Sequence, residues 1–325
     1  MPLNDELSVF LELAAEAVAS GDRPALHDLP PDLAYREYEA ATYILDVPGP
    51  QVASVQELSI ESRDGYQISA RWYKPLEFKQ TSDPQPVLLY FHGGGYCLGS
   101  LDSHDSLCRS LAVLTPCHVL HVAYRLAPEY RFPSAVHDAH DAYRWLVQHG
   151  SAHGLDTNRI AVGGDSVGGT LATGIVIMAR DENLQPPVYQ LLLYPCTSAW
   201  QDSVSHQRLA SGYLLEAKTL QWMFNLYLRT DADRADWRFA PLETSDLSKL
   251  APAYLVLAEY DPLLDEGMAY AERLQANGVD TQVNVYAGMV HDFARLGNIV
   301  EEAGQVRQDL AKILAKAFYP ENDRS

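Results

Sequence analysis

Apolar residues recur at three- and four-residue steps near the start of the chain, at Leu7, Phe10, Leu11, Ala14 and Val18. That spacing predicts an amphipathic helix. Pro30-Pro31 interrupts it, a weaker helical stretch follows from Tyr35 to Tyr43, and Pro48-Gly49-Pro50 breaks the chain. The period then changes. The segments from Val55 to Ile60 and from Gln67 to Tyr73 alternate on either side of Asp64-Gly65, a turn signal, and predict an antiparallel hairpin. Short apolar runs come next: Val87 to Phe91, Val119 to Ala123, Ile160 to Val162, Leu191 to Tyr194, Tyr254 to Ala258 and Val283 to Tyr286. Such runs suit strands buried on both faces. Helical patterns from Ala135 to Gln148, Gly169 to Arg180 and Ile299 to Phe318 separate or follow them. The order predicts an α/β fold with an eight-stranded, mostly parallel sheet flanked by helices.

One stretch breaks the rhythm. Residues 198–238 carry Trp200, Tyr213, Leu214, Leu215, Trp222, Phe224 and Tyr227 with no strand pattern, which reads as a lid or binding element. The expected division is N-terminal helices over 1–50, a core over 51–197, an insertion over 198–238 and the rest of the core over 239–325.

Composition narrows the partners. The chain has 325 residues, 47% apolar, with 24 basic and 43 acidic side chains for a net charge of −19. A surface so acidic repels phosphate backbones and anionic headgroups, so neither nucleic acid nor membrane is expected as a partner. The start, Met1 to Glu6, lacks a basic region followed by an apolar one, and a cytoplasmic location is expected. Cys97, Cys108, Cys117 and Cys196 form no C-x-x-C pair and are expected as reduced thiols, with a Cys97–Cys108 or Cys108–Cys117 bridge left open.

The chemistry-bearing signal is Gly164-Asp165-Ser166-Val167-Gly168-Gly169, between a strand and a helix. Glycines two places either side of a serine allow a sharp strand-to-helix turn that lifts the hydroxyl clear of the sheet. The stretch is neither G-x-G-x-x-G nor followed by Gly-Lys, so it is no phosphate cradle. A serine needs a base, and in such sheets the acid and histidine follow it in the chain. Only His206 and His291 come after Ser166. His291 lies just past a strand, whereas His206 lies in the insertion. Asp261 after the strand ending at Ala258 is the candidate acid, with Glu259 the runner-up. His92-Gly93-Gly94-Gly95 follows another strand and offers unobstructed backbone N–H groups, to which Val167 adds one after the nucleophile. His137 and His140 share a helical face but lack the H-E-x-x-H arrangement of a metal site.

These motifs, together with Tyr124-Arg125-Leu126-Ala127-Pro128-Glu129, Phe132-Pro133, Asp261 to Gly267 and His291-Asp292-Phe293, resemble the hormone-sensitive-lipase-like α/β-hydrolases, the bacterial family IV esterases. The match covers about residues 55–317. The resemblance implies a serine esterase with Ser166 as nucleophile, Asp261 as acid, His291 as base and Gly94, Gly95 and Val167 as oxyanion donors. Gly93 would shape the loop, and His92 would be structural. Gly164, Asp165 and Gly168 would support the turn. The N-terminal helices and the insertion would form a cap, with Tyr96, Tyr213, Leu214 and Leu215 as candidate substrate contacts. It further implies a small ester substrate with a short or medium acyl chain, no cofactor or metal, and a homodimer through the final strand. Val167, Ala123 and Thr170 depart from the family's usual alanine, aspartate and asparagine, which bears on substrate range. A specialised deacetylase is the nearest alternative. A non-catalytic receptor, as in the plant gibberellin receptors on this fold, lacks the histidine that is present here at His291.

Overall fold

The computed structural model describes residues 2–76 and 83–320. The hairpin forms where alternation predicts it, with β1 (Ser54–Glu61) antiparallel to β2 (Gln67–Lys74). β3 (Gln85–Phe91), β4 (His118–Ala123), β5 (Leu155–Asp165), β6 (Tyr189–Leu193), β7 (Ala253–Tyr260) and β8 (Thr281–Val290) complete one sheet in the order β1-β2-β4-β3-β5-β6-β7-β8. β2 runs antiparallel to β4, and every later pairing is parallel.

Alternate residues of the inner strands feed two cores. Val87, Leu89 and Phe91 of β3 enter one, while Leu88 and Tyr90 enter the other. The first core packs against α4 (Ser134–His149), α5 (Val167–Asp181) and α8 (Leu264–Ala276). The second packs against α3 (Asp105–Leu114) and α9 (Glu302–Phe318). Burial on both faces explains why these strands read as continuous apolar runs. β1, at the sheet's edge, is exposed at most of its positions. Helix α3 has no counterpart among the sequence-predicted helices. Asp265 and Glu266 fall in the first turn of α8, where acidic side chains suit the helix dipole.

The two N-terminal helices, α1 (Asp5–Ala19) and α2 (Pro31–Leu45), are tied to the core. The Asn4 side chain caps α1, and Asn4 N donates to Gly288 O of β8 at 3.1 Å. Between β6 and β7 the chain makes no strand up to Pro252, beyond the expected limit at 238. It holds α6 (Val204–Arg208) and α7 (Ala217–Tyr227). The N-terminal segment meets α7 where His27 Nδ1 lies 2.9 Å from Thr219 Oγ1.

All four cysteines are buried and free, so the two bridges left open by spacing do not form. Among the described residues no helix is long and apolar enough to cross a membrane. The helix-face histidines lie among carboxylates and arginines: Asp138 and Asp141 hold Arg125 and Arg63, and His140 Nε2 is 3.3 Å from Glu182.

Asp46, directly after α2, is buried and receives the Arg307 guanidinium of α9 on both carboxylate oxygens, at 2.7 and 2.6 Å. Arg307→Met alone should therefore lower stability by about 3–5 kcal/mol, because a buried carboxylate is left unpaired. Arg307→Met with Asp46→Leu should recover part of that loss. Urea denaturation midpoints of the two variants give the comparison.

Candidate active site

β5 ends at Asp165 and α5 begins at Val167, so a single residue makes the turn. Ser166 makes it at φ 52°, ψ −124°, a conformation that L side chains rarely adopt. Close packing holds it there. A Cβ at Gly168 would overlap the carbonyl oxygen of Phe91, and one at Gly164 would meet the Gly168 carbonyl. Only glycine at both places lets helix, turn and β3 approach so closely. The Ser166 N–H donates to Leu193 O at 2.8 Å, pinning the turn to the end of β6.

β7 and β8 run parallel, with Tyr260 opposite Val290, so the next residues, Asp261 and His291, emerge side by side. His291 Nδ1 lies 2.7 Å from Asp261 Oδ2. The other Asp261 oxygen accepts the Leu263 N–H at 2.9 Å. Glu259 instead accepts from Gly288 N at 2.8 Å, away from His291. The imidazole packs on Tyr194, just past β6, at 4.8 Å between ring centroids. Serine turn and imidazole thus flank the same strand end, and Nε2 is the ring nitrogen that Asp261 leaves free. Burial disfavours the imidazolium, but the Asp261 charge and hydrogen bond, with Asp292 and Asp165, outweigh it and raise the His291 pKa above 6.5. His206, the other histidine after Ser166, lies 3.0 Å from Glu266 of α8. Glu266 also accepts from the Thr197 and Ser198 N–H groups and so fastens the insertion to the core.

The glycine loop follows β3. Gly94 and Gly95 have φ of 106° and 61°, which turn the chain back under itself, with Leu98 N donating to Gly94 O at 2.9 Å. The Gly93 N–H is taken by Asp165 Oδ2 at 3.0 Å. Among the described residues no backbone bond is donated by the N–H of Gly94, Gly95 or Val167. Unpaired backbone donors near a turn serine are what a developing oxyanion requires. Asp165 Oδ1 also accepts the Tyr90 hydroxyl at 2.7 Å, and His104 Nε2 lies 3.1 Å from Oδ2. His92 is buried and its ring stacks on Tyr124 at 4.4 Å; burial pushes its pKa down to about 4, so it stays neutral.

Helix α7 of the insertion lies on this loop. Met223 packs where a Gly95 Cβ would be, and its carbonyl lies 3.4 Å from Cys97 Sγ. Tyr96 is buried and stacks on Tyr227 of α7 at 3.9 Å. Tyr213 sits 5.4 Å from the ring of Tyr260, next to Asp261, and Leu215 packs on the first core. Leu214 is exposed. Sequence reading passed over Met223, although Leu220, Met223, Phe224 and Tyr227 carry the three- and four-residue spacing of an amphipathic helix. It also passed over Tyr90, His104 and Arg295, which are far apart in the chain and show no local signal.

Residues 88–295 match the family described as the alpha/beta hydrolase fold. The chain belongs to that family. The ethyl acetate hydrolase of Pseudomonas putida is 44% identical over 94% of this chain and 96% of its own length. An ester hydrolase from the metagenome of Lake Arreo, solved with a bipyridine phosphonate derivative, superposes with a TM-score of 0.93 at 34% identity, covering 97% of this chain and 99% of that one. The hyperthermophilic esterase of Pyrobaculum calidifontis gives 0.88 at 34% identity over 97% and 99%. The resemblance read from the motifs therefore stands, and the chain is a carboxylic ester hydrolase of this family.

The Asp261–His291 geometry predicts a shifted titration. The His291 imidazole should titrate above pH 6.5 in a histidine NMR titration. Asp261→Asn should bring it below the parent value, since burial then acts with less opposition.

Proposed function

We propose that Ser166, His291 and Asp261 form the catalytic triad of this esterase, with the N–H groups of Gly94, Gly95 and Val167 as its oxyanion hole. The carrying observation is the 2.7 Å contact of His291 Nδ1 with Asp261 Oδ2, beside the strained Ser166 turn. His291 Nε2 takes the Ser166 proton as Oγ attacks the ester carbonyl. The three N–H groups receive the tetrahedral oxyanion, and Asp261 stabilises the imidazolium that results. The proton then goes to the leaving alcohol, and water releases the acyl group by the same route. No metal or cofactor takes part in this sequence.

The N-terminal helices and the segment between β6 and β7 act as a cap over the site. We assign the acyl pocket to short and medium chains. Met223 and the stacked Tyr96–Tyr227 pair crowd the glycine loop, which supports a small pocket, as does a relative named for ethyl acetate. The chain works as a cytoplasmic enzyme on small esters, and the open edge of β8 serves a homodimer.

A fluorophosphonate probe should label Ser166 stoichiometrically and nothing else. Ser166→Ala and His291→Ala should each remove nearly all hydrolysis, Asp261→Asn should cost about 10⁴-fold in kcat by leaving the wrong tautomer, and Glu259→Gln should stay near parent activity. Label at another residue, or an inactive Glu259→Gln beside an active Asp261→Asn, contradicts the assignment.

The second expectation concerns chain length. Met223→Ala should raise the ratio of kcat/KM for octanoate over acetate esters by about tenfold, because each newly buried methylene contributes roughly 0.8 kcal/mol. Leu214→Ala, at an exposed position, should leave that ratio near the parent's.

A further inference from the structure

The residue before the nucleophile and the residue after the base meet behind the active site. Oxygens of Asp165 and Asp292 and the Nε2 side of His104 lie within 4.8 Å of one another, with His104 and Asp165 buried and Asp292 half-buried. Two carboxylates so close repel, and the fold supplies a counter-charge. Arg295 is buried and its NH1 lies 2.8 Å from Asp292 Oδ2. The same guanidinium donates to Ser103 O at 3.1 Å and, through NH1 and NH2, meets Tyr38 OH and Thr42 Oγ1 of α2. Although the three residues have the spacing of a cation site, Arg295 already occupies that role, so a metal ion would meet a fixed positive charge.

Asp292 takes no part in the triad, yet it directly follows His291 and adopts φ 66°, which orients its carboxyl into this cluster. We propose that Asp292 is a positioning residue for ester hydrolysis: held by Arg295, its half-buried charge acts on the adjacent imidazole and favours the protonated form of His291. This rests on the reading of His291 as the base. The groups facing that imidazole from the surrounding elements are Asp261 after β7, Asp165 at the end of β5 and Tyr194 after β6, with Arg295 as the nearby cation. His92 and His104 beside Asp165 are held neutral by burial, and Tyr38 carries its proton. Of the three carboxylates only Asp292 can be removed without touching the triad or the glycine loop. Burial raises the Asp292 carboxyl pKa, and Arg295 opposes that rise.

The test is the pH profile of kcat/KM for a p-nitrophenyl ester in Asp292→Asn, since asparagine tolerates the same positive φ. The acid limb should move down by about half a unit or more. Plateau kcat should stay within about tenfold of the parent, as expected for a residue that acts only through another. Asp292→Gly also accepts that backbone and carries the same test if the asparagine variant does not fold. An acid limb that stays in place or moves up overturns the proposal. Fluorophosphonate labelling of Ser166, run alongside, separates the two failures. Labelling that needs His291, with an unmoved limb in Asp292→Asn, overturns only the role of Asp292. Labelling that persists in His291→Ala overturns the base assignment and this proposal with it.

Discussion

A single close approach governs the site: α5 starts so near β3 that Gly168 rests on the Phe91 carbonyl oxygen. With no room for a side chain there, the chain leaves β5 and enters the helix in one residue, and Ser166 absorbs the whole change of direction at positive φ. Strain of this kind persists only where the surroundings over-determine it. Here they do, through the Ser166 bond to Leu193 O, the Gly164 contact with Gly168 and the Asp165 hydrogen bonds behind. The Ser166 hydroxyl stands at the start of a fifteen-residue helix, where the unpaired N–H groups favour negative charge.

Asp165 carries that constraint outward. Its two oxygens hold Tyr90 of β3, the Gly93 N–H of the glycine loop and His104 beside α3, so the turn, the loop and the sheet share one buried anion. By occupying the Gly93 N–H, it leaves Gly94 and Gly95 as the donors that remain unpaired. A buried carboxylate is costly unless its lone pairs are filled, and this one is filled by donors from three segments. Arg295 extends the network to Asp292 and on to α2, which ties the N-terminal helices to the loop that carries His291.

The segment between β6 and β7 is anchored differently at its start and along α7. Near the core, Glu266 of α8 binds the Thr197 and Ser198 backbone and His206. Against the glycine loop, α7 packs through apolar contact, with Met223 on Gly95 and Tyr227 stacked on Tyr96.

The apolar runs of the inner strands, the alternation of the hairpin and the Gly164–Gly169 stretch are local patterns, and they were legible because burial on both faces, burial on one, and a tight turn each impose their own residue spacing. The order of serine, aspartate and histidine along the chain was legible for the same reason: each follows its own strand. What the sequence left undecided depended on distant partners. Glu259 and Asp261 are two residues apart at one strand end, and only the pairing of β7 with β8, with its irregularity between Ala258 and Tyr260, sends one to Gly288 and the other to His291. Whether Leu214 or Met223 faces the glycine loop depends on how α7 docks, and the separation of the four cysteines on where their elements lie. Asp165, Asp292, Arg295 and His104 become one cluster only in three dimensions. Local spacing determines which elements form; long-range packing determines which side chains meet.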